Sequence, residues 1–340
     1  MTASTRRAVI AAGAALAVAP STRAGAVVIG GVKRFAPELD ALIAPDATVE
    51  KLTDGIQWAE GPVWVKAGGC LLFSDPPGNV MRKWTRGGGV SEFLRPSGLA
   101  GDASAMREAG SNGLIIGHDG VLLMADSGNR AIARVDLATK QKTILVGRFE
   151  GKRFNSPNDL VQAKDGAIYF TDPPYGLKDD IHSPMKELAF SGVYRLSPDG
   201  TLALLERSLN FPNGIALSPD ERTLYISNSD PQRPVILRYA LGSDGMPAGS
   251  SLFFDGAPLV KKDAPGLPDG MKIDARGNLF ASGPGGIFIL TPQGKALGLI
   301  EIPGKPIANC AFGEDGSTLF LAASDTLACI RTRTKGLGFA

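Results

Sequence analysis

Apolar residues in this chain come in short runs of three to six, cut apart by turns rich in Gly, Asp and Pro. The runs follow one another in groups of four. After Asn112 the expected strands are 114–116, 121–125, 131–135 and 142–146, with the turn His118-Asp119-Gly120 between the first two. After Asn213 they are 215–217, 223–227, 236–239 and 251–254, and after Asp269 they are 271–273, 279–281, 286–290 and 297–302. Asp-Gly-like turns followed by β-branched and aromatic residues are hairpin signals. The first two strands of a group are apolar almost throughout, which suits strands packed on both faces. Residues 37–43 are the one fair helix candidate, and a short one.

The groups share a phase. Six of their first strands are opened by a side chain that can offer oxygen: Glu60, Asn112, Asn158, Asn213, Asp269 and Asn309. The gaps between them are 52, 46, 55, 56 and 40 residues. Strand-rich repeats of this length are the spacing of propeller blades around a central channel. The expected fold is all-β: a six-bladed β-propeller with four-stranded blades. The last group, 309–312, 318–322 and 327–331, lacks a fourth strand, and residues 47–52 have the pattern to supply it. An N-terminal strand completing the last blade would close the ring and remove open edges. The βαβ alternation of a two-domain α/β enzyme is absent.

Composition changes this picture little. The 43 glycines and 24 prolines fit a turn-rich β fold, and a net charge of +2 gives no electrostatic case for nucleic acid. The first 26 residues stand apart, with Arg6-Arg7, an apolar run from Ala8 to Ala19, and Ala24-Gly25-Ala26 as a small-residue cleavage site. They read as a removed, twin-arginine-like export signal, the alternative being a general secretory signal or a membrane anchor. The apolar run is short for spanning a bilayer. Losing Arg6, Arg7 and Arg23 takes the charge from +2 to −1. The mature chain, a single domain over 27–340, is therefore expected in the periplasm or secreted, free of the membrane and of nucleic acid.

Cys70, Cys310 and Cys329 sit in apolar runs and read as buried small hydrophobes, with a disulfide between two of them left open. His118 falls in a hairpin turn and His182 in a polar loop, so both read as surface residues rather than catalytic ones. No G-x-S-x-G elbow and no G-x-G-x-x-G after a strand is present.

Asn, Asp and Gly at loop–strand boundaries are often plain turn residues. Six at one phase point instead to a ring of oxygens at a channel mouth. Two of the six are carboxylates, enough to neutralise a divalent cation, and amide carbonyls complete a hard oxygen cage. Such a set suits one Ca²⁺, with Mg²⁺, Mn²⁺ or Zn²⁺ as alternatives. An open site of this kind is catalytic more often than structural.

Several motifs then carry a resemblance: Trp58-Ala-Glu60-Gly-Pro-Val-Trp64, Arg153-Phe-Asn-Ser-Pro-Asn158-Asp159, Tyr169-Phe-Thr-Asp-Pro-Pro-Tyr-Gly176, Pro212-Asn213-Gly and Pro268-Asp269-Gly-Met271. From about Phe35 onward the chain resembles the gluconolactonase, senescence-marker-protein (regucalcin) and luciferin-regenerating-enzyme family. The resemblance implies a six-bladed propeller with one catalytic divalent metal, held by Glu60, Asn158, Asn213 and Asp269. Relatives with a shorter loop leave Asn155 as an alternative to Asn158, and the Asp165-Gly166 turn favours Asn158 by counting. Ala125-Asp-Ser-Gly-Asn-Arg130 stands where many bacterial gluconolactonases resemble Glu-His-Gly-Asn-Arg, so Ser127 implies altered specificity or a weaker pH dependence.

The resemblance implies hydrolysis of a small-molecule lactone of the glucono-1,5-lactone type to the aldonic acid. The metal polarises the carbonyl, and Asp269 acts either as general base for the attacking water or as a ligand alone. Asn112, Arg153, Asp172 and Tyr175 are candidates for holding sugar hydroxyls. The alternatives are hydrolysis of another lactone or ester on the same scaffold, and a non-catalytic, Ca²⁺-stabilised binding propeller.

Overall fold

The computed structural model describes Met1 and residues 27–339. The expected export signal at 1–26 therefore lies almost entirely outside the described residues.

Four separate antiparallel sheets of four strands follow one another in chain order. The first holds Glu60–Val65, Cys70–Asp75, Val80–Thr85 and Gly89–Leu94; the second holds Leu114–Ile116, Leu122–Asp126, Ala131–Val135 and Lys142–Val146. The third holds Leu160–Gln162, Ile168–Asp172, Gly192–Leu196 and Leu202–Glu206; the fourth holds Pro212–Leu217, Thr223–Asp230, Arg233–Leu241 and Pro247–Asp255. Arg148–Phe149 and Lys152–Arg153 form a two-stranded sheet of their own, and the other strands form one nine-stranded sheet. Its order runs Met271–Ile273, Leu279–Gly283, Gly286–Leu290, Ala296–Glu301, Val28–Arg34, Val49–Thr53, Thr326–Arg331, Thr318–Ala323, Asn309–Gly313.

Val49–Thr53 pairs antiparallel with Thr326–Arg331, with Glu50 opposite Cys329 and Lys51 opposite Ala328. Val28–Arg34, a strand beyond those expected, pairs with Val49–Thr53 on one side and Ala296–Glu301 on the other. This strand joins what would otherwise be two four-stranded sheets. The helix candidate is a 3-10 turn, Pro37–Ala41, and Leu39, Leu42 and Ile43 around it are buried.

First strands of successive sheets touch one another in chain order, and Asn309–Gly313 touches Glu60–Val65, so the cycle closes. Burial is complete at the second strands of the first three sheets and falls from them outward. Cys70–Asp75, Leu122–Asp126 and Ile168–Asp172 are buried at every residue, whereas the outer strands Lys142–Val146 and Pro247–Asp255 are largely exposed. The core is accordingly not central but layered between neighbouring sheets. Leu123, Ile132, Leu160 and Phe170 join the second sheet to the third. Ile56, Leu71, Trp84 and Phe320 join the first to the last. Apolar runs continuous along a strand are what two-sided packing requires. The three cysteines are buried and free, and no helix among the described residues is long and apolar enough to cross a membrane.

Candidate active site

The side chains at the openings of the first strands are held by the sheet that precedes each of them. Gly61 sits at a φ of 47°, and a Cβ there would lie 2.0 Å from the Asn112 carbonyl oxygen. At Gly214 a Cβ would lie 2.2 Å from the Asp269 carbonyl oxygen. The glycine after a ring residue thus lets the next ring residue approach closely, by its backbone after Glu60, Asn112 and Asn213 and by the Asn309 side chain after Asp269. Hydroxyls on second strands fasten the same carbonyls. Ser74 Oγ donates to Asn112 O at 2.7 Å, Thr171 Oγ1 to Asn213 O at 2.6 Å, and Ser227 Oγ to Asp269 O at 2.9 Å. Asn158 O accepts from Gly113 N at 2.7 Å.

These residues open onto a cavity of about 550 Å³. Glu60, Asn112, Asn158, Asn213, Asp269 and Tyr175 all line it. Asn309 does not, because its side chain turns into the ring, donating to Glu60 Oε2 at 3.3 Å and accepting from Cys310 N at 2.9 Å.

Two expected substrate-holding residues lie elsewhere. Asp172 is fully buried, its Oδ2 accepting the Asn155 N–H at 2.8 Å. As the last residue of a strand buried on both faces, it points to the neighbouring loop and not to the cavity. Arg153 lines a separate recess with Ile144, Val146 and Arg148, and its Nη2 donates to Asn129 O at 3.0 Å. Asn155, the alternative to Asn158, spends its Nδ2 on Asp172 O and Phe190 O, at 3.0 and 2.9 Å, and does not line the cavity. Ser127 Oγ donates to Pro157 O at 2.6 Å, and both histidines are exposed.

Trp58, Arg107, Glu108, Asp180, Phe211 and Ser229 complete the charged, polar and aromatic lining, and none was singled out from sequence. Arg107 and Glu108 belong to residues 95–111, which form no regular strand and so carry no periodicity. The signal on offer was a charged pair four to five residues before a ring asparagine. Tyr175 stacks on Phe211 with ring centroids 5.4 Å apart and planes 18° from parallel.

The cavity is acid-rich. Burial pushes Glu60 up to about 7, against hydrogen bonds from Gly61 N (2.9 Å) and Asn309. Burial raises Asp269 well above the usual carboxylate range, and the charges of Glu60 and Asp159 add to it. Asp159 is raised by burial too, with Lys272 opposing. Glu108 is pushed up to about 7 by burial, eased by Arg107 and reinforced by Glu60 and Asp180. Burial likewise raises Tyr175.

Carboxylates that raise one another's proton affinity are the arrangement a divalent cation relieves. The amides fit as well. Asn213 Nδ2 donates to Ser229 Oγ at 2.9 Å, leaving Oδ1 as the free end, and Asn112 Oδ1 is buried without a partner. No group of three or more His, Cys, Asp or Glu converges in metal-binding geometry among the described residues. A cation here would thus lean on amide oxygens, and the donor set suits a hard ion.

Comparison with known proteins gives a consistent result. The sequence profile of the SMP-30/gluconolactonase/LRE-like region matches residues 58–325. A gluconolactonase of Zymomonas mobilis subsp. mobilis is 53% identical over 318 residues, spanning 91% of this chain and 88% of that protein. The solved structure of a gluconolactonase from Xanthomonas campestris superposes with a TM-score of 0.76 at 34% identity, covering 92% of this chain and 99% of that one. A calcium-binding regucalcin from Agrobacterium tumefaciens, 19% identical with a TM-score of 0.64, covers 91% of this chain and 95% of its own, a likeness of fold.

Proposed function

The chain belongs to the SMP-30/gluconolactonase/LRE-like family, and on that premise we propose that it is a lactone hydrolase opening a sugar lactone of the glucono-1,5-lactone type to its aldonic acid. The observation that carries this reading is the convergence of Glu60, Asn158, Asn213 and Asp269 on one cavity. The 53% identity to a gluconolactonase over nearly the whole chain supports the substrate class.

Glu60, Asn158, Asn213 and Asp269 would hold one divalent cation, with Ca²⁺ the best match to two carboxylates and two amides. When bound, it supplies Lewis-acid polarisation of the lactone carbonyl. Asp269 is the candidate to take the proton of the attacking water, or to orient that water as a cation ligand alone. Trp58, Phe211 and Tyr175 give the cavity an apolar side that limits water and packs against the carbon skeleton of the ring. Asn112, with its unpartnered Oδ1, can accept from a substrate hydroxyl.

On the same reading the sheets are six blades of a propeller, with Val49–Thr53 as the fourth strand of the last; the closed cycle of first strands supports this. Residues 1–26 are an export signal, and the mature enzyme works in the periplasm or outside the cell.

One assay tests the function. Adding glucono-1,5-lactone to the purified protein with Ca²⁺ should release acid well above the spontaneous rate, and EDTA should abolish the excess. Acid release that persists undiminished in metal-free protein would remove the cation from the reading. No release above background would remove the activity.

A further inference from the structure

We infer that Glu108 is the residue that selects polyhydroxylated lactones, its carboxylate accepting hydrogen bonds from neighbouring hydroxyls of the substrate. This rests on the lactone-hydrolase reading above and deepens it.

The backbone of Glu108 is fixed rather than free to swing. Residues 95–111 cross to the segment after Ile168–Asp172 and are fastened there. Arg107 N and Glu108 N both donate to Gly176 O, at 2.9 and 3.2 Å, and Lys178 N donates to Ala105 O at 3.1 Å. Met106 pairs with Leu177, and Arg107 Nη1 donates to Asp180 Oδ2 at 2.9 Å. A clasp of four hydrogen bonds therefore sets where Glu108 stands.

Its side chain, by contrast, is left without a partner. It lines the cavity, yet its carboxylate accepts no hydrogen bond from any described residue. Its only ion-pair contact is Arg107 Nε at 3.9 Å, and that guanidinium is already bonded to Asp180. The other carboxylates lining the cavity are occupied or assigned. Glu60 takes Gly61 N and Asn309 Nδ2, Asp180 takes Arg107 on Oδ2 with its Oδ1 buried and unpartnered, and Asp269 sits in the proposed cation set. Glu108 also stands off the strand-opening phase, four residues before Asn112, which separates it from the ring.

A half-buried carboxylate with unused acceptor capacity is a costly group unless the ligand brings donors to it. A lactone bearing neighbouring hydroxyls does so, and its C–H face matches the aromatic side of the same cavity. An unsubstituted lactone offers the aromatic side its carbons but leaves Glu108 unmatched. A site built to bond hydroxyls rejects analogues that lack them far more strongly than an apolar pocket discriminates by size.

The test uses the full chain with Ca²⁺, as wild type, Glu108→Gln and Glu108→Ala. The measurements are kcat/KM on glucono-1,5-lactone and δ-valerolactone, calorimetric binding of the non-hydrolysed amide analogues glucono-δ-lactam and δ-valerolactam, and bound calcium. Glu108→Gln keeps the volume should Glu108→Ala fold poorly. The expected result is a selectivity ratio, glucono- over valerolactone, that collapses by about 10²-fold, the size of a charge-assisted hydrogen bond or two. Most of that loss should appear in KM, the glucono-lactam should bind correspondingly more weakly, and calcium should stay at the wild-type level. Equal losses on both lactones, an unchanged ratio, or a fall in bound calcium would overturn the assignment. If the wild type hydrolyses neither lactone, the function reading fails, and lactam binding alone decides on Glu108: loss of glucono-lactam affinity in the variants supports it, and equal or absent binding overturns it.

Discussion

Gly214→Ala isolates the contact that sets the position of Asp269. A Cβ at 214 would lie 2.2 Å from Asp269 O, 2.8 Å from Gly270 Cα and 2.9 Å from Asp269 C, against an ordinary contact of 3.4–4 Å. All three atoms are backbone, so no side chain can turn aside. Asp269 O is also held by Ser227 Oγ at 2.9 Å, which resists withdrawal. Gly214 needs no left-handed φ, so the effect is steric alone. Overpacking of this kind costs about 1–3 kcal/mol, or a Tm lower by about 2–6 °C in a domain of this size. Relief requires the Asp269 strand to shift by about 1 Å, and misplacement on that scale can cost about 10²-fold in rate. Thermal unfolding and kcat on glucono-1,5-lactone with saturating Ca²⁺ are the assays. Gly249→Ala is the control, because a Cβ there meets nothing within 4 Å; it should be neutral or slightly stabilising. A Gly214→Ala protein matching that control in both Tm and kcat would refute the close-approach argument.

Asp269→Asn should lower kcat by about 10²-fold or more at saturating Ca²⁺ if Asp269 takes the proton of water; an unchanged kcat would leave it as a ligand alone. Asp172 is pushed up to about 7 by burial, so the folded protein binds a proton there that the unfolded chain has already released. Stability drawn from this group therefore falls as pH rises from about 4 to 7, and the wild-type Tm should decline over that range relative to Asp172→Asn, a parallel course counting against the shift. Residues 54–340 expressed alone lose both Val28–Arg34 and Val49–Thr53 and should aggregate or melt far lower, as scattering and calorimetry would report. A monomeric fragment with wild-type Tm would contradict that.

The inner parts of the fold were legible because two-sided burial writes itself as continuous apolar runs. The expected 114–116, 131–135, 271–273 and 286–290 coincide with strands of the structure, as does the exposed outer 142–146. Another outer strand was read too short: 251–254 extends to Pro247–Asp255, where Ala248-Gly249-Ser250-Ser251 gives no apolar signal. Val28–Arg34 went unread because Gly30-Gly31 interrupts it, and Gly30 is needed where a Cβ would lie 2.1 Å from Glu301 O. At the site, phase along the chain found the cavity-lining Glu60, Asn112, Asn158, Asn213 and Asp269. It could not tell that Asn309 turns inward, because that depends on a hydrogen bond to Glu60, far away in sequence. Arg153 and Asp172 looked like polyol binders from their motifs, yet they serve the loop architecture around Asn155 and Asn129.

The pairing of Val49–Thr53 with Thr326–Arg331 has a consequence for how the molecule is made. The early strand leaves the ribosome some 270 residues before its partner, a delay of about 15–60 s at ordinary rates of synthesis. Throughout that interval one edge of it can pair with nothing native. Glu50 and Lys51 put opposite charges on the waiting strand, the kind of gatekeeping that discourages a neighbouring nascent chain from adding to it. The ring cannot close in this way until Thr326–Arg331 has been translated.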